Sequence, residues 1–139
     1  KVLGEPGRGP TLLAARVGET MERAGRVPQL APHAKDLGAA LARIGAATRE
    51  AWATGNPRDA LINAVPYMQA FPHLVLAWIW LDVAQRSLAR DSAAARPATA
   101  GRVGAADYFF HYELPKIGAW LNVVERRDAT CVTMPEEAF

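Results

Sequence analysis

The three histidines are the first residues to test for chemistry, because imidazole is a common metal ligand and proton carrier. A two-metal site in a helical bundle uses Glu-x-x-His pairs on facing helices, and the sequence contains no such pair. His111 and Glu113 are two residues apart, which places them on roughly opposite faces of a helix. We therefore predict no metal site. His33 is interpreted as a first-turn surface residue, and His73 as a core or edge residue that bonds a carbonyl freed by Pro72.

Nucleophiles and nucleotide-binding loops are the next candidates. Ser87 and Ser92 lie at a helix end and in a link, without a nearby histidine pattern that would complete a triad. Cys131 is the single cysteine and is interpreted as buried or incidental rather than as a catalytic thiolate. Gly7-Arg8-Gly9 starts like a dinucleotide fingerprint but follows no strand and lacks the third glycine. The sequence therefore predicts no catalytic, cofactor-binding or metal-binding residue in this chain.

Aromatic residues are the most concentrated feature, and they crowd two predicted helices. They either fill the interface between those helices or dock another domain or subunit from an outward face. A bent third helix would also open a pocket lined by Tyr67, Phe71 and Phe109. The candidate docking or pocket residues are Tyr67, Phe71, His73, Phe109, His111 and Phe139.

The elements that must position these side chains are helices. Alanine is abundant and β-branched residues are few, so helix propensity predicts an all-α fold. Apolar periodicity and terminal signals predict a four-helix, up-and-down bundle. Its helices are expected at residues 11–24, 32–54, 57–89 and 97–125.

Proline and glycine set the expected irregularities. Gly55 occupies a left-handed C-terminal cap position, and Asn56 with the proline after it predicts a tight turn into the third helix. Pro66 and Pro72 predict kinks in the third helix, or a short break near residues 69–73. Pro115 predicts a kink in the fourth.

The domain organisation follows from these elements. We expect a linker at residues 1–10, the bundle at 11–127 and a C-terminal tail at 128–139 that packs on the bundle. The tail is expected to be ordered, with Val132, Met134 and Phe139 in a groove between helices. The strongest apolar stripes predict one shared core made of Leu41, Ile44, Val75, Ile79, Phe110, Leu114, Ile117 and Leu121.

Charge and cysteine content exclude several classes of function. The net charge of +2 is spread along the chain without a basic arm, which argues against nucleic-acid binding. Residues 60–81 carry no Asp, Glu, Lys or Arg, but their internal polar residues and prolines favour a buried helix over a membrane span. A single cysteine cannot form an internal disulfide, which favours a cytoplasmic location. Lys1 in place of methionine suggests part of a longer chain.

Several runs of residues resemble a known family. They are NAVPYMQAF at 63–71, LAWIWL at 76–81, ADYFF at 106–110, ELP at 113–115 and MPEEAF at 134–139. Together they resemble the C-terminal helical domain of a subgroup of bacterial acyl-CoA dehydrogenases, over most of the chain. The opening Lys1-Val-Leu is similar to the end of the catalytic domain that precedes this domain in the family. Pro72 stands where the family tends to have glycine, which puts the geometry of the third helix in doubt.

The resemblance implies an enzymatic parent and a non-catalytic domain. In the family, a glutamate base and FAD oxidise an acyl-CoA thioester, and both belong to the upstream domains. No family catalytic or flavin-binding residue maps onto this sequence, so FAD is expected in the parent and no cofactor in this chain. The implied partners are the upstream domains and further copies of the parent in a homo-oligomer. The alternative is a self-contained helical module that binds a ligand or a partner.

Overall fold

The computed structural model describes residues 8–91 and 96–138, and within them all regular structure is helical. Helix α1 spans Arg8–Gly25, α2 spans Ala31–Ala51, α3 spans Pro57–Leu61 and α4 spans Ala64–Arg90. Helix α5 spans Pro97–Tyr108, α6 spans Ile117–Glu125 and the short α7 spans Thr130–Thr133. The predicted all-α class is confirmed. Helix α4 lies at the centre, in contact with α1, α2, α5 and α6.

The turn after α2 has the predicted chemistry. Gly55 adopts a left-handed φ of 69°, which glycine reaches without steric cost. The Asn56 side chain accepts a hydrogen bond from the backbone N–H of Arg58 at 3.0 Å, and Pro57 takes the first helical position. Helix α2 itself ends at Ala51, three residues earlier than predicted.

The break in the third predicted helix lies earlier than expected. The chain leaves the helix after Leu61 and resumes at Ala64, whereas residues 69–73 remain helical. A proline crowds the carbonyl four residues before it, so Pro66 disfavours a continuous helix through Ile62. Pro66 then falls in the first turn of α4, where its missing N–H breaks no helical hydrogen bond. Pro72 lies inside α4 on its exposed side, where water can reach the carbonyl that it leaves unbonded.

The fourth predicted helix changes its winding before and around Pro115. A π-helical turn spans Phe109–Glu113 and a 3-10 turn spans Leu114–Lys116, between α5 and α6. Proline lacks a backbone donor, so the regular α-helical ladder cannot continue through it. The wider and then tighter turns keep Phe109, Phe110 and Leu114 all buried.

The core is only partly the one that the sequence predicts. Ile44, Phe110, Leu114, Ile117 and Leu121 are buried as predicted. Leu41 and Val75 are half-buried, and the prediction for Ile79 is wrong, because its side chain is 45% exposed.

Small residues explain that error. The buried face of α4 alternates alanine with leucine, and this lets neighbouring helices approach its backbone closely. Larger side chains such as Ile79 therefore lie on the outer face. The buried face of α4 consists of Ala70, Leu74, Ala77, Leu81, Ala84 and Ser87.

The tail forms α7 and a 3-10 turn at Glu136–Ala138. Val132 and Met134 are exposed, so the prediction that they lie in a groove between helices is wrong. A polar anchor occurs at the start of the tail, where the Asn63 amide donates to the carbonyl of Asp128 at 3.0 Å. Phe139 lies outside the described residues. None of the helices described is long and apolar enough to cross a membrane.

Candidate functional site

His33 is buried, which corrects its interpretation as a surface residue. It is 4% exposed, and its ring stacks on Phe110 with centroids 4.5 Å apart. Its Nε2 lies 2.7 Å from Oδ1 of Asp107, and a carboxylate only accepts, so Nε2 is the donor. The buried Nδ1 finds no partner in the described part of the chain. The pair joins α2 to α5. The sequence signal was the position of His33 in line with the buried Leu37.

His73 is half-buried and bonds a backbone carbonyl, although a different one from that predicted. Its Nδ1 lies 2.9 Å from the carbonyl oxygen of Gln69, whereas Pro72 frees the carbonyl of Met68. The other ring nitrogen faces Glu113 at 3.6 Å. Lys116 donates to both Glu113 oxygens, at 2.8 and 2.7 Å, and this keeps the pKa of that carboxyl below its usual range, with a smaller contribution from His73.

The remaining candidate residues do not form one site. Tyr67 and Phe71 line a cleft, whereas Phe109 is buried and does not belong to that lining. His111 is exposed and meets the His33 ring edge to face, with centroids 5.5 Å apart. Among residues 8–91 and 96–138, no group of His, Cys, Asp and Glu side chains could hold a metal ion.

The cleft lies between α1, α2 and α4 and has a volume of about 860 Å³. The hydroxyl groups of Thr48 on α2 and Tyr67 on α4 form a hydrogen bond, with their oxygens 2.9 Å apart. Arg49 is the single charged residue of the lining. The walls are otherwise mostly apolar, and the lining consists of Gly9, Thr11, Leu13, Ala14, Leu41, Ala42, Ile44, Gly45, Thr48, Arg49, Tyr67, Phe71 and Leu74.

A second feature is an exposed apolar strip on the outer face of α3 and α4. Its side chains recur at helical spacing and are between 43% and 71% exposed. Trp52, half exposed, lines a hollow of about 300 Å³ together with two members of the strip. Contiguous exposed apolar surface of this kind is typical of interaction sites. The strip consists of Leu61, Val65, Met68, Leu76 and Ile79.

The strip ends in a basic hollow. Val83, one turn after Ile79, lines a hollow of about 370 Å³ together with four arginines and one aspartate. Asp91 pairs with Arg96 at 3.3 Å and Asp82 pairs with Arg86 at 2.6 Å, so two of the four guanidinium groups are neutralised. The hollow therefore keeps an excess of positive charge. Its arginines are Arg86, Arg90, Arg96 and Arg102.

A buried polar network holds the inner side of α4 against α1. The Thr20 hydroxyl is buried and accepts a hydrogen bond from the Trp78 indole N–H at 2.9 Å. Arg23 reaches Asp82 at 3.1 Å, and Asp82 also accepts from Arg86 at 2.6 Å. These contacts fix which face of α4 turns outward. No sequence pattern indicated the role of Thr20, a small polar residue on an otherwise apolar helix stripe.

One of the comparisons with known proteins identifies a family. The family model described as "acetyl-CoA dehydrogenase C-terminal like" matches residues 13–135. No curated protein and no solved structure matches the chain.

Proposed function

Because the chain belongs to the acetyl-CoA dehydrogenase C-terminal-like family, we propose that it is a non-catalytic accessory domain of an FAD-dependent acyl-CoA dehydrogenase. In this proposal the domain docks on the catalytic body or across the oligomer interface of the parent enzyme. The upstream domains of that enzyme are its partners, and acyl-CoA oxidation takes place on them.

The exposed strip is the observation that carries the docking proposal. Val65 is 71% exposed and Met68 is 62% exposed, although the same helix buries leucines and alanines on its inner face. Leaving these side chains in water costs free energy that a docked partner would recover, at about 25 cal/mol per Å² of apolar surface covered. Trp52 beside the strip adds a residue type that is enriched among binding hot spots.

The basic hollow predicts the charge of the docked surface. Arg90 and Arg102 form no ion pair within the described residues. A partner with an apolar ridge along α4 and carboxylates beside the end of that helix would match both features. Charge complementarity of this kind fixes register and excludes wrong partners more than it adds affinity.

FAD is assigned to the upstream domains of the parent. Dinucleotide folds usually hold the pyrophosphate with a glycine-rich turn between a strand and a helix. The described residues contain no strand, and the lining of the cleft between α1, α2 and α4 offers one cation. The proposal gives none of these residues a role in flavin chemistry.

The finer architecture and location belong to the same proposal. The contacts of α4 with α1, α2 and α6 support an up-and-down four-helix arrangement, with α5 and α6 together as its fourth member. Cys131 is a free and exposed thiol, which suits a reducing compartment such as the cytoplasm.

A charge on the strip tests the docking proposal. Val65→Asp in the full-length enzyme should release the domain from the catalytic body or from a neighbouring subunit, whereas the isolated chain should melt as before. Val132→Asp is the matched control, because Val132 is also well exposed but lies in the tail. Light scattering distinguishes the two docking sites, since only an oligomer interface changes the mass. Limited proteolysis reports release from the catalytic body. An enzyme whose mass and protease resistance are unaffected by Val65→Asp contradicts the proposal.

Flavin content tests the absence of a catalytic role. The isolated chain should purify without flavin absorbance and should not oxidise acyl-CoA. The full-length enzyme should show flavin absorbance and should oxidise acyl-CoA. Flavin retained by the isolated chain would overturn the assignment of FAD to the upstream domains.

A self-contained binding module is the second candidate function. The observation that favours it is the volume of the cleft, which falls within the range of about 300–1,000 Å³ that is common for small-molecule sites. Saturable binding of a small molecule by the isolated chain, together with a strip that tolerates charge, would favour this candidate over docking.

A further inference from the structure

We propose that the cleft between α1, α2 and α4 binds a linear aliphatic carboxylate, with the alkyl chain along the apolar walls and the carboxylate at Arg49. None of the residues of the apolar strip lines the cleft. This inference therefore does not rest on the docking proposal, and either one can fail alone.

The length of the cleft accommodates an elongated ligand. Its α2 wall runs from Leu41 to Arg49, which is about 12 Å at the helical rise of 1.5 Å per residue. Its α4 wall runs over a similar length, from Tyr67 to Leu74. An apolar space of this length can hold an extended alkyl chain along both walls.

Small residues give the cleft its depth. Ala42 and Gly45 line it from α2, and Ala14 lines it from α1. Beside them stand the larger apolar side chains of Phe71 and Leu74. Burial of an alkyl chain against such walls is favourable by about 0.8 kcal/mol per CH₂ if burial is complete.

The polar end of the cleft offers one free donor group. Thr48 donates its hydroxyl hydrogen to the carbonyl of Ile44 at 2.7 Å, so its oxygen must accept from Tyr67. Both hydroxyl hydrogens are thereby used. Arg49 has no ion pair within the described residues, and its guanidinium is the remaining donor.

The guanidinium of Arg49 lies beside Gly45. One terminal nitrogen of its guanidinium lies 3.7 Å from the point that a Cβ on Gly45 would occupy. The side chain thus folds back along α2 towards the cleft. A single guanidinium matches a carboxylate in charge and in its two-pronged geometry. The head group that this end selects is therefore a monoanion.

Titration calorimetry with decanoate and decanol tests the proposal. Both should bind the wild-type chain saturably, because the alkyl chain supplies the apolar contact. Gly45→Leu should weaken the binding of both ligands by more than about ten-fold, because the leucine side chain fills the cleft. The variant should keep helix α2, since leucine has a higher helix propensity than glycine. Arg49→Gln should weaken decanoate about five-fold, as expected for one exposed ion pair, and leave decanol unchanged.

The controls separate the cleft from general effects of substitution. Gly101→Leu adds the same side chain to an exposed glycine of α5, and Arg58→Gln removes a cation from α3 outside the cleft. Neither should change binding. If Gly45→Leu does not fold, Ala14→Phe blocks the cleft from α1 instead. Absence of saturable decanoate binding, or binding that survives both blocking variants, overturns the proposal. Equal loss of decanoate and decanol in Arg49→Gln overturns the carboxylate assignment.

Discussion

Leu81 and Ile79 lie two residues apart on α4, one on its buried face and the other on the apolar strip. Leu81 is fully buried, whereas Ile79 is 45% exposed. Leu81→Ala should destabilise the isolated chain by about 2–5 kcal/mol, the range for leucine in a packed core. Unfolding entropy for a domain of this length is about 0.3 kcal/mol/K, so the melting temperature should fall by roughly 7–17 °C.

Ile79→Ala should cost less than about 1 kcal/mol, because part of its surface is already in water and alanine is the better helix former. Its melting temperature should stay within about 3 °C of the wild type. Calorimetry of both variants measures the difference. Denaturant titration provides the control, since an unchanged m-value shows that both variants unfold from the same native state. Equal destabilisation by Ile79→Ala and Leu81→Ala would show that the outer face of α4 is packed, and would refute the strip.

The other predictions concern polar pairs between helices. Arg43 donates to Glu125 at 2.9 and 3.1 Å, and this holds the pKa of that carboxyl below its usual range. The resulting stability is present above the unfolded pKa of about 4.3 and is lost as the pH falls through the lower folded pKa. Glu125→Gln should therefore melt below the wild type at pH 7 and approach it at pH 3. Asp107→Ala should cost about 1–3 kcal/mol in a denaturant titration, because it leaves the buried His33 without its acceptor. Thr20→Val should cost a similar amount, about 1–3 kcal/mol, and should blue-shift tryptophan emission.

Sequence patterns predicted the class of fold well because helix propensity and punctuation are local. The turn at Gly55 and Asn56 follows from the conformations that those residue types adopt, so it could be assigned without knowledge of packing. The division between α3 and α4 could not be assigned in this way. Pro66 can either kink a continuous helix or lie in the first turn of a new one, depending on where the preceding helix ends. Tertiary packing decides between those outcomes.

The orientation of α4 was the main feature that the sequence left open. Both faces of this helix carry apolar residues, so periodicity alone cannot tell the buried face from the exposed one. Burial of Thr20 and its bond to Trp78 decide the matter, and neither is visible in a hydrophobic pattern. His33 was assigned to the surface although it lies one turn before the buried Leu37, because its partner Asp107, at 2.7 Å, is 74 residues away in the sequence.

The cleft was foreseen only in part. Tyr67 and Phe71 were predicted to line a pocket because they are aromatic residues one turn apart on a bent helix. Gly45 and Arg49 were missed. A cavity forms where side chains are small, whereas apolar periodicity identifies positions where side chains are large. Whether the space beside a small residue becomes a cleft depends on how the neighbouring helices pack, and the sequence pattern does not show that packing.

The alanines on the inner face of α4 carry a consequence for how this chain can change in evolution. A buried Ala77 tolerates few replacements, since any added methylene must displace a neighbouring helix, typically at about 1–3 kcal/mol. The large residues on the outer face are exposed and are not confined in this way. Homologues should therefore keep the small residues of α4 while they exchange the large ones. A lineage can then acquire a different docking partner by substitutions that leave the folding of the domain unaltered.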